Sequence, residues 1–143
     1  MSLSLHHAHL LATDIEATME FWTRAFDATV VYDEIFAGAR NVFLSVGGGR
    51  LHLYDQPPKV LGQGTVHHLG VQADDLEEVV DRLRAMDVSV TDIRHEPTAD
   101  YAMAMGPDEL LIEIFRPNPA AVPNHLHGYF NPPDTHRDDK DPA

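Results

Sequence analysis

The chain has 143 residues, 43% apolar and 23% charged, the make-up of one soluble globular domain. No apolar run approaches the ~20 residues that cross a bilayer, and the start MSLSLHHAHL lacks the basic stretch of a signal peptide, so a cytoplasmic protein is expected. Cysteine is absent, which removes disulfides and thiol chemistry, and a formal charge of −13 makes nucleic acid and anionic membranes poor partners.

In chain order, a first strand is predicted over 5–12. Asp14 then stands where a helix needs its cap, and Ile15, Met19, Trp22 and Phe26 recur at helical spacing as one apolar stripe. Strands are predicted over 29–34, 41–46 and 50–55, the last two joined by a turn at Gly47-Gly48-Gly49. The stretch 56–65 reads as a linker from its proline and glycine. A strand over 66–73 follows, with Asp75 as cap and Leu76, Val80, Leu83 and Met86 as the second helical stripe. Strands over 89–94, 101–105 and 110–115 complete the pattern, with a turn at residues 106–109. From Pro117 onward the chain holds six of its ten prolines, so the last ten or so residues are expected to be disordered, whereas the aromatic stretch 124–130 has the character to dock on the domain.

The second half repeats the first. Residues 6–22 align with 67–83 at an offset of 61, which carries His7 to His68, Asp14 to Asp75 and Glu16 to Glu77; Leu51-His52-Leu53 falls on Ile112-Glu113-Ile114 at the same offset. The predicted fold is α+β: a βαβββ unit used twice, about 4–56 and about 66–117, in one domain spanning 1–117, with 118–143 as a C-terminal extension.

Strand alternation sorts the side chains by face. Ala8, Leu10 and Ala12 suit the helix-packed side, as do Leu51 and Leu53, Leu69 and Val71, and Ile112 and Ile114. That sends His7, His52, His68 and Glu113 to the opposite face, at matching positions of the repeat. A lone strand histidine is ordinarily structural or solvated; the joint spacing, face and residue type point to a metal site of His7, His68 and Glu113, with His52 as a fourth ligand or an acid–base group. Imidazole with carboxylate suits Fe, Mn, Ni, Zn or Co. His9, Tyr54, Tyr101, Met103 and Gln72 fall on the same faces and are expected to line the substrate cavity. His6 and His67 are expected to point to the helix layer, and Glu16, Glu77 and Glu78 are read as first-turn residues that favour the helix dipole. His125 and His127 are read as solvated.

The segments His7-Ala8-His9-Leu10 with Asp14 and Phe21-Trp22, His68-Leu69-Gly70-Val71 with Asp74-Asp75, and residues 106–115 (GPDELLIEIF) resemble the motifs of the vicinal oxygen chelate superfamily, which includes glyoxalase I, bleomycin and fosfomycin resistance proteins and extradiol dioxygenases. The resemblance covers about residues 4–117. It implies paired βαβββ units curling around a divalent metal, a small substrate with adjacent oxygens, and a homodimer in which His7 of one copy shares a site with His68 and Glu113 of the other. Glyoxalase I carries a glutamate at the position of His52, and a phosphonate site needs basic side chains, for which only Arg50 is placed. The expected activity is glyoxalase-like lyase or isomerase chemistry. An extradiol-type Fe(II) or Mn(II) dioxygenase is the first alternative, and a non-catalytic drug-binding protein is the second.

Overall fold

The computed structural model describes residues 1–62 and 64–130; the expected disorder of the chain's end, and His136, lie outside them. Each half opens with a short edge strand, β1 (Ala8–Leu11) and β5 (Leu69–Gln72). Helix α1 (Ile15–Phe26) starts where the Asp14 carboxylate accepts the Ala17 N–H at 3.0 Å, and α2 (Leu76–Ala85) where Asp75 accepts the Glu78 N–H at 3.0 Å. Each cap satisfies one of the N–H groups that a helix start leaves without a partner. Asp27 and Asp87 follow the helices in the left-handed region, at φ 54° and 57°, which a short polar side chain tolerates better than a branched one.

Three further strands complete each unit: β2 (Thr29–Phe36), β3 (Ala39–Val46) and β4 (Gly49–Tyr54) in the first, β6 (Arg94–His95), β7 (Ala99–Met105) and β8 (Leu111–Pro117) in the second. Two open four-stranded mixed sheets result, ordered β1-β4-β3-β2 and β5-β8-β7-β6. The fold is the α+β pair of βαβββ units that the repeat predicts. In both sheets the first strand runs parallel to the last, and the register places His9 beside His52 and Gly70 beside Glu113.

Three strands are shorter than predicted: β1 and β5 each start three residues late and end one early, and the stretch 89–94 is largely unpaired. Of the stretch 89–94, only Arg94 enters regular pairing, and Val90 makes a single bridge to Ala104. The Thr91 hydroxyl accepts the Met103 N–H at 3.0 Å, so a side chain takes the place of a ladder bond and interrupts the strand.

The core confirms the sorting by face. Ile15, Trp22, Phe26, Leu76, Val80 and Leu83 are buried under the helices, and Leu51, Leu53, Ile112 and Ile114 are buried on the sheet side facing them. Buried residues of both halves join one apolar cluster. The halves are tied further by Asp108, whose carboxylate accepts the Thr13 N–H at 3.1 Å, and by the Arg82–Asp27 ion pair at 2.9 Å. Gly106 makes the closest approach possible, because a Cβ there would stand 2.9 Å from Ile112 Cδ1 and 3.4 Å from the Phe21 ring. Beyond β8, Val122 is buried, and a short helix α3 (His127–Phe130) ends the described chain.

Candidate functional site

In the first half, the strands put a row of rings on the face turned away from α1. His7 stacks on His52 at 3.6 Å between ring centroids, His52 stacks on Phe43 at 3.7 Å, and Phe43 stacks on Tyr32 at 4.5 Å. The order follows from register, since Phe43 lies opposite both His52 and Tyr32. His6 joins this group, with its Nδ1 3.0 Å from Nδ1 of His7. One donor atom from each of His6, His7 and His52 lies within 4.8 Å of the others. Burial first, then repulsion from the neighbouring imidazoles of His7, His6 and His9, holds the His52 imidazole below the usual histidine pKa, which favours the form with a free lone pair.

The second half repeats the arrangement with one substitution in chemistry. His68 Nε2 lies 3.8 Å from Glu113 Oε2, and His67 Nδ1 lies 2.8 Å from His68 Nδ1. Both His68 and Glu113 are about one-third exposed. Where the first half offers imidazoles only, the second adds a carboxylate.

His6 and His67 thus sit beside the candidate ligands and not in the helix layer. The strands begin at Ala8 and Leu69, so alternation does not reach residues 6 and 67. Both are exposed. A histidine directly before each candidate ligand was visible in the sequence; its use was not. Each of these contacts engages one ring nitrogen of the candidate ligand, the role that outer partners of metal-binding histidines play.

The structure brings His7 to His52 and His68 to Glu113, but it does not bring the two pairs together in one chain. Among the described residues no group of three donors combines His7 with His68 or Glu113. Two grooves open beside the edge strands, one of about 810 Å³ along β5 and one of about 530 Å³ along β1, and none of the four candidate ligands lines either. The face that carries His52 is open to solvent, with Phe36 65% exposed on neighbouring β2.

The remaining candidates divide between the halves. His9 is exposed and lies 5.9 Å from Tyr54, whose hydroxyl donates to the Ala37 carbonyl at 2.9 Å. Met103 is in register with Glu113, and Tyr101 with Phe115, so both occupy the ligand-bearing face of the second sheet. Gln72 donates its side-chain N–H to the Phe130 carbonyl, and the Phe115 and Phe130 rings meet edge to face at 6.2 Å. The docking expected of 124–130 is present. His127 is engaged as well, with Nε2 2.9 Å from the Val122 carbonyl, and is not simply solvated. Phe43, Tyr32 and Phe130 are neighbours of the candidate residues that sequence reasoning missed; strand register marks the first two once the pairing of β2, β3 and β4 is known.

Three imidazoles and one carboxylate are a donor set suited to a borderline divalent transition ion, and fewer than six protein donors leave positions for a chelating ligand. The spacing within each pair fits that use. A family model described as the Glyoxalase/Bleomycin resistance protein/Dioxygenase superfamily matches residues 4–114. No curated protein sequence gives a significant match. Among solved structures, a monoclinic form of the fosfomycin resistance protein FosX from Listeria monocytogenes is similar with a TM-score of 0.72 at 20% identity, over 85% of this chain and 96% of that one. A substituted FosX from the same organism, complexed with Mn(II) and 1S,2S-dihydroxypropylphosphonic acid, has a TM-score of 0.72 at 20% identity, over 85% and 97%. TnmS3, an antibiotic binding protein from Streptomyces sp. CB03234, has a TM-score of 0.69 at 22% identity, over 82% and 99%. At these identities the likeness establishes the fold.

Proposed function

The chain belongs to the Glyoxalase/Bleomycin resistance protein/Dioxygenase superfamily, and from that premise we propose that it is a metal-dependent lyase or isomerase acting on a small substrate with adjacent oxygens. The observation that carries this reading is the matched pairing of His7 with His52 and of His68 with Glu113, on equivalent faces of the two halves. His7, His68 and Glu113 hold a divalent metal, and His52 is a fourth ligand or an acid–base group. One chain leaves the pairs apart, so a complete site needs the first half of one copy against the second half of another, in a homodimer with two sites. The exposed apolar residues of β2 and the open sheet faces support that second copy. No helix among the described residues is long and apolar enough to cross a membrane.

A bound metal supplies a Lewis acid that two adjacent substrate oxygens can chelate. Glu113 takes and returns a substrate proton, and His52, favoured in its neutral form by its burial and its histidine neighbours, relays it. His9, Tyr54, Met103 and Tyr101 line the substrate. Mn(II) accompanies the substituted FosX, which supports a divalent ion in this fold; Fe, Mn, Ni, Zn and Co all suit the donors.

A second reading, an extradiol-type dioxygenase using Fe(II) or Mn(II), is favoured by one feature, the stacked Tyr32–Phe43–His52 row, which sets aromatic ring edges beside the candidate ligands for a catechol ring to meet. Metal analysis of untagged protein purified anaerobically, beside His68→Ala, tests both. Near-stoichiometric nickel, zinc or cobalt that is lost in the variant supports the lyase or isomerase. Iron or manganese lost in the same way, together with oxygen uptake on catechols, supports the dioxygenase; either metal without oxygen uptake supports the lyase or isomerase. No metal in either protein after reconstitution overturns both and leaves a drug-binding role.

A further inference from the structure

The segment after β8 does more than end the chain. It leaves the sheet at Asn118, whose N–H donates to the Thr98 carbonyl at 2.8 Å and whose side chain accepts the Ala120 N–H at 3.2 Å. Val122 then enters the core with 8% exposure, and the His127 ring fixes the next turn on the Val122 carbonyl. The chain returns across the second sheet until the Phe130 carbonyl meets Gln72 and the Phe130 ring meets Phe115. Tyr129 packs edge to face on Phe130 at 5.0 Å.

The position of this contact is informative. Phe115 lies two residues beyond Glu113 on the same strand face, a separation of about 6.6 Å at the usual rise. Gly70, in register with Glu113, has no side chain, and a Cβ there would lie 3.6 Å from the Phe115 ring. The Phe115 ring therefore leans over the space beside Glu113, and the Phe130 ring, edge to face with it at 6.2 Å, extends the aromatic surface at this end. The other side chains at this end, Tyr101 and Met103, are uncharged; the cation in register, Arg94 opposite Tyr101, is exposed at the sheet edge. Arg94 stands at the rim, away from Glu113 by the width of β7, whereas the rings of Phe115, Phe130 and Tyr101 favour a planar group. The region matched by the family ends at residue 114, so the segment lies outside what the family describes.

We propose that residues 124–130 form a specificity strap, in which Phe130, backed by Tyr129 and seated on Phe115 and Gln72, is the wall against which the planar unsaturated ring of an aromatic chelating substrate rests. The inference rests on the metal-site reading above and adds the class of substrate that the site selects. The strap holds the ring; the two oxygens remain with the site at Glu113.

The test compares two chelating probes on the full-length, metal-reconstituted protein: 4-nitrocatechol, which has the ring, and acetohydroxamate, which does not. Phe130→Ala is expected to weaken 4-nitrocatechol by about three- to tenfold, with acetohydroxamate and metal content unchanged. Phe130→Leu, which keeps apolar bulk, is expected to recover part of the loss. Hydrogen exchange over 124–130 is expected to slow with 4-nitrocatechol and not with acetohydroxamate. Equal weakening of both probes, or no weakening of either, overturns the strap while the metal site stands. Failure of the unsubstituted protein to bind either probe with any of the five metals overturns the site reading and the strap together.

Discussion

The two halves of this chain are copies in scaffold and not in chemistry. Both begin with an aspartate cap, both bury an apolar stripe of a helix on a four-stranded sheet, and both place paired histidines at the start of an edge strand. They differ at the residue beside those histidines, where His52 in one half is Glu113 in the other, and in what covers the ligand-bearing face. The first half leaves a stacked row of rings open, whereas the second is crossed by residues 124–130. Positions that hold the fold are equivalent, whereas the open side keeps its histidine pair in both halves and differs beside it, at His52 and Glu113. A repeat can therefore keep one folding solution while its halves offer different groups, imidazoles alone in one and imidazole with carboxylate in the other.

The sharpest test of equivalence in the scaffold is in the core. Leu53 and Ile114 occupy matching positions and are both 0% exposed. Leu53→Ala and Ile114→Ala are each expected to cost about 2–5 kcal/mol, with a single unfolding transition in denaturant for both, because the buried residues of the two halves form one cluster. Two separate transitions in either variant would show that the halves fold as independent bodies and would break the comparison.

A smaller effect is expected at the caps. Asp14→Ala and Asp75→Ala each remove one carboxylate acceptor at 3.0 Å, so each is expected to lose about 1 kcal/mol, or roughly 4 °C in Tm for a chain of this size. Thermal melts of the two variants should agree closely. A large loss at one cap alone would mean that one helix start carries tertiary contacts that the other lacks.

These equivalences explain what could be read in advance. Leu51, Leu53, Ile112 and Ile114 announce their face because a strand has a period of two and the helix side must be apolar, and the opposite face of His52 and Glu113 follows by parity. Parity fails where the strand has not begun, so it misplaced His6 and His67. It is silent on which strands become neighbours, so the Tyr32–Phe43–His52 row waited for the register. The shortened β6 turns on one hydroxyl, that of Thr91, competing for a backbone N–H, a local choice that no pattern of hydrophobicity records. The separation of His7 from His68 is a matter of how two units dock, and a repeat fixes the units without fixing their docking.

The mildest contrast lies in the ion pairs that bind each helix start to its sheet. Glu16 and Glu77 match in the repeat, yet the arginine that meets them comes from β3 in the first half and β8 in the second. Arg40 grips Asp33 with two bonds of 2.7 Å and also reaches Glu16; Arg116 grips Glu77 at 2.7 and 3.0 Å and Asp100 at 2.9 Å. The Arg40 bonds hold Asp33 below the usual carboxylate pKa, and the Arg116 bonds do the same for Glu77 and, with help from His95, for Asp100. A carboxyl with a lowered folded-state pKa stabilises the fold above its unfolded value, about 4 for these groups, and loses that contribution as pH falls through the folded value. The Tm deficit of Arg116→Met relative to the unsubstituted protein should therefore be full at pH 7, shrink below about pH 4, and disappear once both carboxyls are protonated in the fold. Arg40→Met should follow the same course with a smaller pH-dependent part, because one lowered carboxyl is released and not two. Asp33 and Glu77 are exposed, and Arg40, Asp100 and Arg116 are only half-buried, so the shifts should be slight and should fade in high salt. A deficit that persists unchanged at low pH would mean that the arginine stems, packing along the sheet, matter more than their charges.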